Sequence, residues 1–112
     1  MSRVFLIAVL LSAGGTRSTA PVQEPDGKAL YAEYCKTCHG PLGSPTPKMK
    51  KKYPKVVTFD AAFLASHSVD SVVKVLTRGK NEDMLSFKMK MSPEEMAAVA
   101  RYVHELATQP KP

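Results

Sequence analysis

Two cysteines and a histidine fall within the five residues Cys35-Lys36-Thr37-Cys38-His39, and these are the only thiols of the 112-residue chain. Thiolates and imidazole at this spacing are suited to three chemistries. Structural zinc takes four cysteine or histidine ligands in paired spacings. The adjacent Cys38 and His39 cannot both reach one tetrahedral ion, and His67 and His104 provide no second pair. A Cys-x-x-Cys redox pair belongs on a βαβ scaffold, and it leaves His39 without a role. The third chemistry uses every residue. In C-x-x-C-H two thiols add to the two vinyl groups of a haem, and the histidine after the second cysteine swings under the ring to reach the iron.

Attachment of that kind takes place outside the cytoplasm, so the N-terminus bears on it. Arg3, an apolar run from Val4 to Leu11 and the small residues Ser18-Thr19-Ala20 have the order of a secretory signal, with a cut after Ala20. The run is eight residues long, well short of the roughly 20 that span a bilayer. No cysteine near the cut could carry a lipid. The organisation expected is a signal peptide over 1–20, a lead-in over 21–25, one domain over 26–107 and a flexible tail over 108–112. Export makes the mature protein periplasmic, with no membrane span once the signal is removed.

The formal charge is +6, and losing Arg3 and Arg17 with the leader brings it to +4, 14 basic residues against 10 acidic. There is no tryptophan, with only four phenylalanines and four tyrosines. A chain this short buries a modest core, and a large apolar cofactor would supply what the side chains lack.

The remaining elements must position the motif. "DGKALYAEYCKTC" sets Leu30, Tyr31 and Tyr34 on one helical face behind Asp26 as N-cap. "HGPLGSPTPKMKKKYP" is dense in proline and lysine and reads as a long loop. A short helix is expected around Asp60 to Ala65. Val69, Val72, Val73 and Leu76 follow an amphipathic helical period, with Ser68 to cap it, Asp70 in its first turn and Arg78-Gly79 at its close. Residues 80–91 form a methionine-bearing loop. Ser92, Pro93 and Glu95 then open the last helix with a capping box, and Met96, Val99, Ala100, Val103 and Ala107 form its buried stripe. The pattern is all-α.

Met84, Met89 and Met91 all lie in a loop that could cross the far face of a haem. Met91 can serve as a hydrophobic staple against Met96, and spacing alone does not separate Met84 from Met89. Here the sequence resembles the small class I, mono-haem cytochromes c. "GKALYAEYCKTCHG" is similar to that family's first helix and attachment site, "VVKVLTRGK" to the helix before the methionine loop, and "MLSFKMKMSPEEMAAVARYV" to the loop and closing helix.

The resemblance implies orthogonal helices around one haem c, held by Cys35 and Cys38, with His39 and Met84 as axial iron ligands. Met84-Leu85-Ser86-Phe87 matches the family's methionine, proline, any residue, aromatic pattern except at Leu85. It also implies that Gly27 and Tyr31 meet the last helix at Val99, Tyr102 and Val103. The carbonyl of Pro47 or Pro45 is expected to accept a hydrogen bond from His39, with Phe63, Leu64 and Phe87 lining the pocket. His67 and His104 read as surface residues.

A haem with both axial positions filled points to a one-electron carrier rather than an enzyme. The alternatives are a cytochrome subunit of a periplasmic dehydrogenase and an open-site haem enzyme or ligand sensor. Lys48, Lys50, Lys51, Lys52, Lys55, Lys80, Lys88 and Lys90 crowd two loops and suit redox partners with an acidic docking surface. No aromatic platform or groove-reading helix supports nucleic acid.

Overall fold

Helices begin where the sequence offers an oxygen to their first free amides. Asp26 accepts from the Ala29 amide at 3.1 Å, Thr46 from Met49 at 3.2 Å, Asp60 from Phe63 at 2.9 Å and Ser68 from Ser71 at 3.1 Å. At Ser92 the bond is reciprocal: its hydroxyl accepts from the Glu95 amide, and the Glu95 carboxylate accepts from the Ser92 amide. Each such cap stabilises its helix by about 1 kcal/mol.

The computed structural model describes residues 8–10, 12, 14–15 and 23–112. Apart from isolated positions, the leader expected over residues 1–20, with its cut after Ala20, lies outside them. The helices are α1 (Gly27–Tyr34), α2 (Lys36–His39), α3 (Pro47–Lys52), α4 (Ala61–Ser66), α5 (Val69–Arg78) and α6 (Pro93–Ala107). Among the described residues there is no strand, so the fold is all-α as expected.

Two local expectations are corrected. The first helix does not run unbroken into the motif. A turn at Cys35 separates α1 from the four-residue α2, so the segment carrying Cys38 and His39 is a separate helical turn. The stretch read as loop also contains a helix, α3. Pro47 stands at its first position, where the absent amide costs nothing and the fixed φ suits the helix, and Thr46 caps it.

The frame is built on α6, which packs against α1, α5 and α4. A Cβ on Gly27 would collide with the Ala98 carbonyl oxygen, so glycine is what lets α1 approach α6 this closely. One turn on, Tyr31 meets Tyr102 edge to face at 5.3 Å. Val72 and Leu76 of α5 and Met96, Val99, Ala100, Val103, Leu106 and Ala107 of α6 form the buried cluster. Each large aliphatic side chain there contributes about 1.5–3 kcal/mol. Met91 is buried with Met96 in the same cluster, as the staple requires. Beyond α6, Lys111 folds back onto the Leu106 carbonyl.

Candidate functional site

The break at Cys35 turns the chain so that Cys35, Cys38 and His39 all face one cleft, and the loop after α5 brings Met84 to it as well. The cleft has a volume of about 390 Å³, within the roughly 300–1,000 Å³ range of small-molecule and cofactor sites. A smaller recess of about 50 Å³ shares Cys35, His39, Val57, Lys80 and Met84 with it and reaches inward to Phe63, Leu76 and Val103.

His39 is only 9 % exposed. Its Nδ1 donates to the Val57 carbonyl at 3.3 Å. Because a carbonyl can only accept, Nδ1 carries the proton and the neutral ring keeps a lone pair on Nε2. Among the described residues nothing hydrogen-bonds to that nitrogen. Burial holds the imidazole below its usual value; the Val57 bond opposes that, and the Lys80 ammonium reinforces it. A neutral, oriented imidazole with one nitrogen tied to backbone is the state in which histidine ligates metal.

The acceptor is neither Pro45 nor Pro47. Pro47 opens α3, where its carbonyl faces the helix's own amides, and the extended segment before α4 brings Val57 to the ring instead. Cys35 is buried, and its thiol is pushed up to about 12 by that burial and by the neighbouring Cys38. Both cysteines are free thiols. Among the described residues no group of three or more histidine, cysteine or acidic side chains converges to hold a bare metal ion.

Met84 is fixed through its backbone. Its amide donates to Asn81 Oδ1 at 3.1 Å, and its carbonyl accepts from the Lys80 amide at 2.9 Å. The residues that follow are tied back to α5: Ser86 Oγ donates to the Thr77 carbonyl at 2.6 Å, and the Phe87 amide to the Leu76 carbonyl at 2.8 Å. Gly79, at φ +75, is where the chain turns from α5 into this loop, and a Cβ there would meet the Ser86 amide nitrogen at 2.7 Å. Met89 is 95 % exposed and lines neither cavity, and Met91 is core.

Of the expected pocket residues, Phe87 lines the cleft and Phe63 the recess, whereas Leu64 packs on the core. The histidines expected at the surface are half-buried instead. His67 stacks on Phe63 at 4.2 Å and lines the recess, and His104 Nε2 donates to the His67 carbonyl at 2.6 Å, joining α6 to the end of α4. The sequence reading missed Tyr53 and Asn81 in the cleft, Phe59 stacked on His39 at 4.6 Å, and the Tyr31 hydroxyl donating to the Gly40 carbonyl at 2.6 Å. Of these, only Asn81 carried a local signal, as an Asx turn two and three residues before the amides it binds.

Residues 22–103 match the family model described as cytochrome c oxidase, cbb3-type, subunit III. The chain belongs to this family of c-type cytochromes. Similar solved structures include one described as KustC0563 c-type cytochrome, 34% identical, covering 74% of this chain and 99% of its own, with a TM-score of 0.66. A mutant of that protein, also 34% identical, covers 72% of this chain and 98% of its own with a TM-score of 0.64. No curated protein matches at a significant level.

A small class I-like cytochrome c is a haem c protein of electron transfer, and the residues of the cleft fit that group. Two thiols, a neutral imidazole with a free Nε2 and a thioether border one largely apolar cavity. No other part of the described chain offers that donor set. Among the described residues no helix is long and apolar enough to cross a membrane.

Proposed function

We propose that this cytochrome is an exported one-electron carrier with a single haem c. Cys35 and Cys38 would hold the group through thioethers, and His39 Nε2 and Met84 Sδ would bind its iron. The observation that carries the reading is the presence of all four side chains on one cleft, with His39 tied at Nδ1 and free at Nε2. When bound, the haem supplies a reversible one-electron couple, and a methionine–histidine pair raises its potential relative to stronger donors.

The chain's own residues do the rest. Val57 fixes the tautomer of His39, and the Asn81 side chain and Lys80 amide hold the Met84 backbone in place. With His39 and Met84 both holding the group, no position would remain on it for a substrate, and the protein would pass electrons without bond chemistry.

The rim suits a redox partner with an acidic surface. Lys55, Lys80 and Lys90 line the cleft, and Lys48, Lys50, Lys51, Lys52 and Lys88 are exposed on the same two segments. Leu85, 68 % exposed, lines the cleft among them and offers an apolar contact. Such a field raises association rates by about 10–10³-fold and weakens with salt.

The test is a redox titration of the mature protein with carbon monoxide added to the reduced form at neutral pH. A single-electron wave with no rapid carbon monoxide adduct is expected. Rapid adduct formation would instead identify an open-site enzyme or sensor and remove Met84 as a firm ligand.

A further inference from the structure

Phe59 lies just before α4; it lines the inner recess rather than the cleft itself, and its ring lies on His39. The ring centroids are 4.6 Å apart with the planes at 20°, a face-to-face offset contact. Phe59 is itself held on several sides. Its amide donates to the Gly43 carbonyl at 2.8 Å, and Tyr31 and Phe63 meet its ring edge-on at 6.3 and 4.9 Å. Gly43, at φ +77, makes room for it, since a Cβ there would stand 3.0 Å from Phe59 Cβ and 3.1 Å from its Cδ2. The turn between His39 and Gly43 is fixed at its other end by the Tyr31 hydroxyl on the Gly40 carbonyl.

The hydrogen bond from His39 Nδ1 to Val57 holds the imidazole at one edge only, and at 3.3 Å it lies beyond the usual N–H···O range. That long contact sets the tautomer but leaves the ring slack to tilt about the Cβ–Cγ bond. A flat aromatic face against the ring removes that freedom. We infer that Phe59 is a positioning residue for the axial imidazole: its ring sets the plane in which His39 presents Nε2. The inference rests on the reading of His39 as the iron ligand, and it deepens that reading by assigning the orientation of the ligand to a residue outside the C-x-x-C-H motif.

The test compares the mature, haem-bearing wild type with Phe59→Leu and Phe59→Tyr by NMR. The paramagnetically shifted haem methyl signals of the oxidised form report the plane of the axial imidazole, and exchange of the His39 Nδ1 proton with solvent reports how firmly the ring is held. Phe59→Leu is expected to change the order or spread of the methyl shifts. It should also speed the exchange about three- to tenfold, the factor that loss of one aromatic pair supplies. Phe59→Tyr, which keeps the ring, should restore both.

A Phe59→Leu protein that unfolds more easily but keeps the wild-type methyl shifts and exchange rate would reduce Phe59 to ordinary core and overturn the inference. Should that variant fail to mature, Gly43→Ala displaces the ring without removing it. The same change in methyl shifts is expected there, and unchanged shifts overturn the inference equally. Failure of the His39 assignment looks different, because the wild type itself would then lack an iron-shifted imidazole proton.

Discussion

The segment carrying His39 and the segment carrying Met84 border one cleft but are held in different ways. His39 sits on a helical turn held by the Phe59 ring on its face, the Val57 backbone carbonyl at its edge and the buried Tyr31 side chain beneath the turn that follows. Met84 sits on a loop whose neighbours Leu85 and Met89 face solvent, and backbone bonds to Asn81 and Lys80 hold it. The first arrangement is stiff because apolar packing and buried hydrogen bonds reinforce each other. The second rests on a few part-buried bonds in a loop with exposed neighbours, so it opens at lower cost. Damage on the His39 side should therefore cost the protein its cofactor or its fold, and damage on the Met84 side should cost one ligand and leave the rest.

The largest effect is expected at the thiols. Cys35→Ser combined with Cys38→Ser should leave no haem on the polypeptide after acidic organic extraction, as read by mass spectrometry. His39→Ala comes next. It should cut the yield of mature protein severely, whereas changes on the methionine loop should leave the yield near wild type. Equal losses on both segments would break the comparison.

Tyr31→Phe removes a buried bond to the Gly40 carbonyl, which keeps the Gly43 amide as its other donor at 3.2 Å, so the loss should cost about 1.5 kcal/mol in denaturant unfolding at neutral pH. It also carries a pH signature. Burial above all raises the ionisation of this phenol well above the ordinary value of about 10, with Cys35 adding to it while a free thiol, and then Tyr102. The folded state resists losing that proton more than the unfolded chain does. The contribution of the hydroxyl is therefore complete below about pH 10 and is lost as the pH rises from there toward the raised value. Unfolding measured between pH 8 and 11 should show an alkaline decline in the wild type that is flatter in Tyr31→Phe. Asn81→Ala should have a smaller and more local effect, about 0.5–1.5 kcal/mol. The methionine–iron absorption band should then bleach on warming before the helices melt.

The frame was readable because its signals are local. Ser68, Ser92, Pro93 and Glu95 mark the starts of α5 and α6, and the apolar period of each helix names the face it buries. The C-x-x-C-H motif named the cleft for the same reason. α3 was hidden because prolines that elsewhere break helices here stand before the first turn and at it, with Thr46 as the only positive signal. What holds His39 was hidden more deeply. Its hydrogen-bond partner lies 18 residues away and is a backbone carbonyl, which no side-chain pattern marks. Phe59 looks like any core aromatic until its ring is seen on the imidazole. Met84 and Met89 have the same chemistry and nearly the same neighbours in sequence, and only the path of the loop places one in the cleft and the other in solvent.

The most direct measurement is the optical spectrum of the oxidised, mature protein beside those of Met84→Ala and Met89→Ala. The wild type and Met89→Ala should both show the weak far-red sulfur–iron band. Met84→Ala should lose it while keeping its haem, and its potential should fall by on the order of 0.1 V or more, within the ~0.8 V that axial ligands span. A band that survives Met84→Ala, or vanishes with Met89→Ala, would contradict the account.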